Sequence, residues 1–177
     1  MSEARTVRAA SGEDAAACAA IYAPYVTGTA VTFELAPPDT GEMAARIARS
    51  LDAHAWLVVE VDGAVAGYAY GARFQQRPSY RWSCEVSIYL REGMRRTGAG
   101  RELYGELLGQ LAGRGYRVAV AGMTLPNEAS EGLHAALGFT PVGVYRRIGY
   151  KLGAWHDVAM MQRRLAPQDD GQPPEPH

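Results

Sequence analysis

Residues 85–101 constrain the fold most, because they have the pattern of a strand, a glycine-containing loop and a helix in direct succession. Val86, Ile88 and Leu90 alternate with Ser87 and Tyr89 as in a pleated strand. From residue 103 to residue 111, leucines and a tyrosine recur at helical spacing. Glycines between a strand and a helix let backbone N–H groups converge, and the helix N-terminus adds partial positive charge. The stretch therefore predicts a phosphate-binding loop.

The glycines of this loop are Gly98 and Gly100, and three arginines surround them: Arg95, Arg96 and Arg101. Arginines at this position would place full charges beside bound phosphates, although a solvated basic patch is the alternative interpretation. The spacing matches neither the dinucleotide fingerprint nor the Walker pattern. Taken alone, the loop is also compatible with an ordinary turn before a helix.

Length and composition predict one domain over residues 1–166, followed by a disordered tail, 167–177, rich in proline, glutamine and acid. The formal net charge of -1 gives no support for a nucleic-acid or membrane partner. The two cysteines, Cys18 and Cys84, are too few for a disulfide framework and lack metal-ligand spacing, so no metal is expected. No basic start with an apolar run and no long apolar stretch is present, which predicts a cytoplasmic protein.

The order of elements predicts an α/β fold. A strand-helix-strand-helix run over residues 82–137, set among hairpins, implies a mixed sheet with at least one parallel pair. Ligands bind beyond the carboxyl ends of parallel strands, where both the glycine loop and Asn127 are expected. Near the N-terminus, a helix over residues 15–22 is predicted to be disturbed at Pro24, with extended or looping chain over residues 25–33.

Two segments carry a family resemblance. Arg95-x-x-Gly98-x-Gly100 resembles the pyrophosphate loop of the GCN5-related N-acetyltransferase (GNAT) superfamily, and residues 127–139 resemble its second acetyl-CoA segment. Within the superfamily, the chain is most similar to the phosphinothricin / methionine sulfoximine acetyltransferase group. The spaced matches to that group include Thr29-Ala-Val-Thr-Phe33, Trp56-Leu-Val, Asp62-Gly, Arg77-x-x-Tyr80, Glu85-x-Ser-x-Tyr89, Leu125-Pro-Asn127, His134 and Lys151-x-Gly-x-Trp155-x-Asp157.

The resemblance implies the GNAT fold, which is a mixed, mostly antiparallel sheet of six to seven strands flanked by helices. Its parallel strands four and five splay apart and hold acetyl-CoA as the cosubstrate. By the same resemblance, the backbone of three residues pairs with the pantetheine arm, the loop holds the pyrophosphate, and Asn127 contacts the arm. The residues implied for the arm and the pyrophosphate are Ile88, Tyr89, Leu90, Arg95, Arg96, Thr97, Gly98, Ala99, Gly100 and Arg101.

Two residues are candidates for catalysis. Glu85 begins the strand that lines the site and could act as general base, provided that burial makes its carboxylate more basic. A structural glutamate in an ion pair is the alternative. His134 stands where the superfamily has a tyrosine that protonates the departing thiolate, and histidine can donate a proton near neutral pH. Because Leu133 and Leu137 are apolar, a hydrogen-bonded core histidine is equally compatible with the sequence.

The substrate mouth is predicted to contain cations and aromatic side chains. Arg77 and Tyr80 match the group, and Arg73 and Phe33 are expected nearby, although surface and core roles respectively are the alternatives. Gln75 departs from the lysine or arginine that phosphinothricin-active relatives tend to carry. Without that charge, methionine sulfoximine or methionine sulfone is expected to be acetylated at least as well as phosphinothricin.

The sequence thus predicts an N-acetyltransferase that uses direct attack by the amine of a free amino acid or analogue, because no cysteine or serine stands in a nucleophile setting. A protein or peptide N-acetyltransferase and a non-catalytic CoA-binding sensor are the alternatives. A homodimer is predicted for two reasons. The final hairpin is apolar, with Val158, Met160 and Leu165, and the resemblance to the related group implies a dimer.

Overall fold

The computed structural model describes residues 4–94, 96–167 and 171–177, in which seven strands form one sheet covered by four helices. The strands are β1 (Arg5–Ala9), β2 (Trp56–Val61), β3 (Ala64–Arg73), β4 (Ser83–Leu90), β5 (Val118–Thr124), β6 (Thr140–Lys151) and β7 (Ala154–Arg164). The helices are α1 (Ala15–Gly28), α2 (Thr40–Ala53), α3 (Ala99–Gly113) and α4 (Glu128–Ala136).

The sheet order is β1-β2-β3-β4-β5-β7-β6. Five of its six pairings are antiparallel, and only β4 and β5 run parallel, joined by the crossover helix α3. A parallel pair needs such a crossover, because its two strands start at the same edge of the sheet. The predicted mixed, mostly antiparallel GNAT sheet with parallel strands 4 and 5 is therefore confirmed.

Two hydrophobic cores form, one on each face of the sheet. Leucines of α3, with Phe139 and partly buried leucines of α4, pack on one face. On the other face, α1 and α2 bury Tyr22, Val26 and Ile47 against Trp56 and Tyr68. The strands buried under both layers support the cleft described below.

Helix α1 differs from the sequence prediction, because it continues through Pro24 to Gly28. Proline removes one backbone hydrogen bond and weakens a helix interior. Here the following turn is held by burial of Val26, which is 1% exposed, and by a hydrogen bond from Thr29 Oγ1 to the Tyr25 carbonyl. The prediction that residues 25–28 are extended or looping is wrong, since tertiary packing outweighs the local effect of Pro24.

The predicted hairpin at Asp62-Gly63 joins β2 to β3, and both turn residues have positive φ, as a two-residue hairpin turn requires. Leu152 and Gly153 make the corresponding turn between β6 and β7. Strand β1, which pairs with β2, forms one edge of the sheet, and β6, which pairs with β7, forms the other.

The described part of the tail, residues 171–177, lies against the start of β4. The Glu175 carboxylate accepts two hydrogen bonds from Arg81, at 2.6 and 2.8 Å, and the Pro174 carbonyl accepts one from Trp82 Nε1 at 2.9 Å. The predicted disorder of residues 167–177 stays a prediction, and residues 168–170 lie outside the described residues. In the described parts of the chain, no helix is both long and apolar enough to cross a membrane.

Candidate active site

The central feature of the site is a cleft between β4 and β5. The parallel ladder joins only Ser83–Glu85 to Val118–Val120, although β4 continues to Leu90 and β5 to Thr124. Over the unpaired length, β4 still pairs with β3, and β5 with β7, on their outer sides. The two inner backbone edges therefore face each other across a V-shaped opening. Free strand edges can pair with an extended chain that contains amides.

Ten residues line this cleft: Val31, Val86, Ser87, Ile88, Tyr89, Gly122, Met123, Asn127, Ser130 and His134. Four of them were predicted from the sequence as site residues: Ile88, Tyr89, Asn127 and His134. Gly122 was missed although a glycine inside a strand is a signal for close approach. A Cβ at Gly122 would lie 3.2 Å from Met160 Sδ. Val31 reaches the cleft from the loop after α1; it lies within the matched segment Thr29–Phe33, but no role was predicted for it.

Glu85 lies at the vertex of the V, because Glu85 and Val120 form the last pair of the parallel ladder. Partial burial of the Glu85 carboxyl group raises its pKa above the ordinary value. The residue as a whole is still exposed to solvent, so that an amine and water can reach the carboxylate. Within the described chain, the Glu85 carboxylate makes no ion pair, so the alternative of a glutamate held by a cation is not supported there.

His134 is buried in α4, with 4% of its surface exposed. Its Nδ1 lies 2.7 Å from the Ser130 carbonyl oxygen, which can only accept, so Nδ1 carries the proton. Nε2 is then the acceptor for the Tyr104 hydroxyl at 3.0 Å. Burial lowers the pKa of His134 below its ordinary value. Both ring nitrogens are thus engaged within the protein, which is the arrangement of a hydrogen-bonded core histidine.

The predicted phosphate loop joins β4 to α3. Gly98 caps the helix with φ +85°, and Arg96 also has a positive φ, of +64°. The Glu102 N–H bonds to the Gly98 carbonyl, and the N–H groups that precede it in the first turn lack helical partners. One of them, the Ala99 N–H, donates to Thr97 Oγ1 at 3.4 Å. Arg96 and Arg101 are exposed beside these groups, while Arg95 lies outside the described residues. The loop therefore has the polarity and the open donors that an anion needs.

Gly100 has a different role from the one expected for a loop glycine. It is buried, and a Cβ there would lie 3.2 Å from Leu90 Cδ1 and 3.7 Å from Ile88 Cδ1. The missing side chain thus lets α3 pack closely on β4, and it would not point at a bound pyrophosphate. Gly98 allows the turn by its conformation, whereas Gly100 allows the contact beneath the turn.

Asn127 connects the end of β5 to the cleft. Its Oδ1 accepts a hydrogen bond from the Ser130 N–H at 3.2 Å and so caps α4. Because the oxygen is used by the cap, the side-chain amide is oriented, and its NH₂ group is the part left to donate to a ligand in the cleft. On the opposite wall, the Tyr25 hydroxyl donates to the Leu90 carbonyl at 2.6 Å.

The predicted substrate mouth is the loop over residues 74–82, which leads from β3 into β4 close to Glu85. Gln75, Arg77 and Tyr80 are all exposed in this loop, and the Tyr80 ring meets Phe74 edge-on at 5.7 Å. These exposed side chains are available to a substrate at the end of the cleft where Glu85 lies.

The structure does not bring Arg73 to this mouth. Arg73 pairs with Cys84, which is buried under α3, and directly opposed residues share a face of the sheet. Burial mainly lowers the pKa of His54, and the charges of Arg114 and then Arg73 on that side add to the effect. Phe33 stands over Gly149 of β6, where a Cβ would overlap the ring, and it remains 38% exposed. The substrate role predicted for Arg73 is therefore not supported, while Phe33 is placed between α1 and the final hairpin.

Residues 7–160 match the family model described as "Acetyltransferase (GNAT) domain". A phosphinothricin N-acetyltransferase of Alcaligenes faecalis is 44% identical over 163 residues, which cover 90% of this chain and 82% of that protein. An L-methionine sulfoximine/L-methionine sulfone acetyltransferase of Salmonella typhimurium is 35% identical over 161 residues, covering 90% and 94% respectively.

Among solved structures, a GNAT superfamily phosphinothricin acetyltransferase from Sinorhizobium meliloti, in complex with AcCoA, superimposes with a TM-score of 0.91. It is 36% identical, and the match covers 97% of this chain and 94% of that one. The β4–β5 opening, the loop before α3 and the family match agree with one another. The chain belongs to the acetyltransferase (GNAT) family, in the group of the phosphinothricin and methionine sulfoximine acetyltransferases.

Proposed function

We propose that this chain, an acetyl-CoA-dependent N-acetyltransferase by its family, acetylates the amine of a free amino acid or analogue of the phosphinothricin, methionine sulfoximine or methionine sulfone type. The observation that carries the proposal is the end of the parallel ladder at Glu85 and Val120. It sets a carboxylate at the vertex of an opening whose other end leads to the loop before α3.

The dimensions of β4 support this arrangement. Leu90 is five positions after Glu85, which corresponds to about 17 Å at the rise of a strand. We propose that the pantetheine arm lies along this length against the backbone of Ile88, Tyr89 and Leu90. The N–H groups from Arg96 to Arg101 would hold the pyrophosphate, and Asn127 would donate to the arm. Acetyl-CoA supplies the activated acetyl group as a thioester.

In the proposed reaction, Glu85 accepts a proton from the substrate amine, directly or through water. The amine nitrogen forms the new C–N bond with the acetyl carbon, and the C–S bond breaks to release the thiolate of CoA. A pKa raised by burial makes Glu85 a stronger base than an ordinary carboxylate. The reaction is proposed to proceed without a covalent enzyme intermediate. The two cysteines, Cys18 and Cys84, are buried in the two cores, where their thiols are not placed to attack the thioester.

For the thiolate, we propose protonation from water. The His134 Nδ1 proton already bonds to Ser130, and its Nε2 accepts from Tyr104, so neither nitrogen offers a proton to the cleft. His134 then serves as a wall residue that keeps α4 and the cap at Asn127 in place.

Substrate choice is proposed to depend on the exposed loop over residues 74–82. Arg77 can grip a carboxylate or phosphinate through two charge-assisted hydrogen bonds. Gln75 adds only a neutral hydrogen bond, so an uncharged sulfone or sulfoximine group loses nothing there. We expect methionine sulfoximine and methionine sulfone to be acetylated at least as well as phosphinothricin.

The direct test is a panel of free amino acids, methionine sulfoximine, methionine sulfone and phosphinothricin, followed by release of the CoA thiol and identification of the N-acetyl product. A peptide with a free N-terminal amine serves as the comparison. Turnover of the peptide alone would favour a protein N-acetyltransferase, and CoA binding without turnover of any amine would favour a sensor. Either result would refute the proposal.

We also propose that the protein acts in the cytoplasm as a homodimer. Strand β6 forms an edge of the sheet, and large apolar side chains remain exposed along the final hairpin. They are Val142, Val144, Tyr145, Ile148, Tyr150, Leu152 and Trp155. A second copy of the chain would cover them.

Sedimentation equilibrium tests the dimer. The wild type should have twice the chain mass, and Ile148→Asp should have the mass of the monomer. A monomeric wild type would refute the dimer.

A further inference from the structure

We infer that Arg5, on the edge strand β1, is a positioning residue for the cofactor loop, an inference that rests on the proposed pyrophosphate site. Arg5 is 92 residues from this loop in the sequence, and nothing local suggests a contact. Yet its Nη2 donates to the Thr97 carbonyl at 3.0 Å, and its Nη1 lies 3.4 Å from the Glu102 carboxylate. The guanidinium therefore joins β1 to both the loop and the first turn of α3.

The contact with Thr97 controls the direction of a peptide. The Thr97 carbonyl and the Gly98 N–H belong to one planar trans peptide unit, so they point in opposite directions. When Arg5 holds the carbonyl on the β1 side, the Gly98 N–H is turned to the other side. In the proposed pyrophosphate site, that is the side on which the N–H groups of the first turn of α3 would receive the anion.

This peptide needs an external restraint because of its sequence. Gly98 has φ +85°, and glycine adopts positive and negative φ about equally, so the backbone alone does not hold one orientation. Within the loop itself, Thr97 Oγ1 donates to the Met94 carbonyl at 2.9 Å and accepts from the Ala99 N–H at 3.4 Å, so it contacts the segments before and after the peptide between Thr97 and Gly98 but not that peptide itself. In the described part of the chain, Arg5 is the side chain that bonds to the carbonyl of the Thr97–Gly98 peptide. A donor that is oriented before binding contributes more affinity than one that must be ordered.

The burial of Arg5 agrees with a role beyond packing. Its side chain is 22% exposed, and its Nε is buried without a hydrogen-bond partner among the described residues. An unsatisfied buried donor costs stability, so the guanidinium is not arranged for folding alone. Its charge also lies next to the loop and is only partly offset by Glu102 at 3.4 Å.

The test compares Arg5→Gln with the wild type on two acetyl donors. Acetyl-CoA contains the pyrophosphate, whereas S-acetylpantetheine carries the same thioester arm without it. Loss of one charge-assisted contact should raise KM for acetyl-CoA about tenfold, with kcat within about twofold. The KM for S-acetylpantetheine should stay unchanged. Equal increases for both donors, or no increase in a folded variant, would overturn the inference.

Two further variants serve as controls. Glu102→Gln removes the ion pair but keeps the bond from Arg5 to Thr97, so it should bind CoA no more weakly than the wild type. Arg49→Gln removes an arginine that is paired with Glu42 on α2, and its KM should not change. Weakened CoA binding in Glu102→Gln would assign the effect to the ion pair and contradict the proposed role of the carbonyl contact.

Calorimetry separates this inference from the proposed function. CoA and pantetheine are titrated into each protein without any amine substrate. A selective loss of CoA affinity in Arg5→Gln would support the positioning role even if no amine were acetylated. Unchanged CoA affinity in that variant would refute the role even if the wild type acetylated its substrate.

Discussion

The hydroxyl of Tyr104 donates a hydrogen bond to Nε2 of His134 at 3.0 Å, across two helices that pack on the same face of the sheet. With Nδ1 bonded to the Ser130 carbonyl, the ring is neutral and both of its nitrogens are engaged. Burial lowers the pKa of His134 from its ordinary value of 6.5. The histidine is therefore uncharged at neutral pH.

This geometry predicts the pH dependence of turnover. An imidazolium acid at position 134 would lose its proton as pH rises through a pKa below 6.5, so activity would fall towards pH 8. We expect no such decline between pH 6.5 and pH 8 in kcat measured at saturating substrates. A falling limb in the wild type that is absent in His134→Gln would identify His134 as the acid.

Glu85→Gln should lower kcat by roughly 10²- to 10⁴-fold, because it removes the base. The KM for acetyl-CoA should remain within about twofold, since the neutral amide occupies the same volume at the cleft vertex. In the wild type, activity should fall on acidification through a pKa raised above the ordinary 4.5 of a glutamate. Activity within a few-fold of wild type at pH 7.5 would mean that Glu85 is structural.

Substitution of either loop glycine, Gly98 or Gly100, should weaken CoA binding, whereas substitution of Gly105 farther along α3 should not. Gly98→Ala places a Cβ at φ +85°, and Gly100→Ala pushes against Leu90, so each should weaken CoA binding about tenfold. Gly105 has no atom within 4 Å of a built Cβ. Gly105→Ala should keep CoA affinity and stabilise α3 by up to about 1 kcal/mol. Calorimetry and thermal unfolding measure both effects, and unaltered CoA affinity in a folded Gly98→Ala would count against the loop.

Gln75→Lys should shift preference towards phosphinothricin. The added charge at an exposed position is worth about 1.4 kcal/mol at low salt, or about tenfold in relative kcat/KM. A competition assay with phosphinothricin and methionine sulfone, at two salt concentrations, measures the shift, which should shrink at high salt. A wild type that already prefers phosphinothricin, or a variant without any shift in preference, would show that residue 75 does not set the choice between the two substrates.

His54 should make the protein less stable in mild acid. Its ring is 8% exposed and stacks on Tyr116, and burial lowers its pKa from 6.5 to about 4. Between these values the unfolded chain binds a proton that the folded protein does not, so stability falls as pH falls. The free energy of unfolding should therefore be lower by about 2 kcal/mol at pH 5 than at pH 8 because of His54. Urea unfolding at both values should show a smaller difference in His54→Phe, which keeps the stacking; an equal difference would exclude His54 as the cause.

Much of the fold followed from local sequence patterns. The alternation of β4, the helical period of α3 and the turn at Asp62-Gly63 are short-range signals, and the structure has each element where it was predicted. The continuation of α1 through Pro24 was not predictable locally, because it depends on the burial of Val26 against the sheet.

The sequence by itself determined the family, the strand-loop-helix unit and the carboxylate at position 85, because these depend on residue type and on spacing along the chain. The tertiary structure decided the rest through contacts between distant segments. It placed Arg73 on the face opposite to Glu85, gave both nitrogens of His134 their partners, and brought Arg5 to Thr97. The physical reason is that strand register and helix packing, which no local pattern encodes, set which side chains meet.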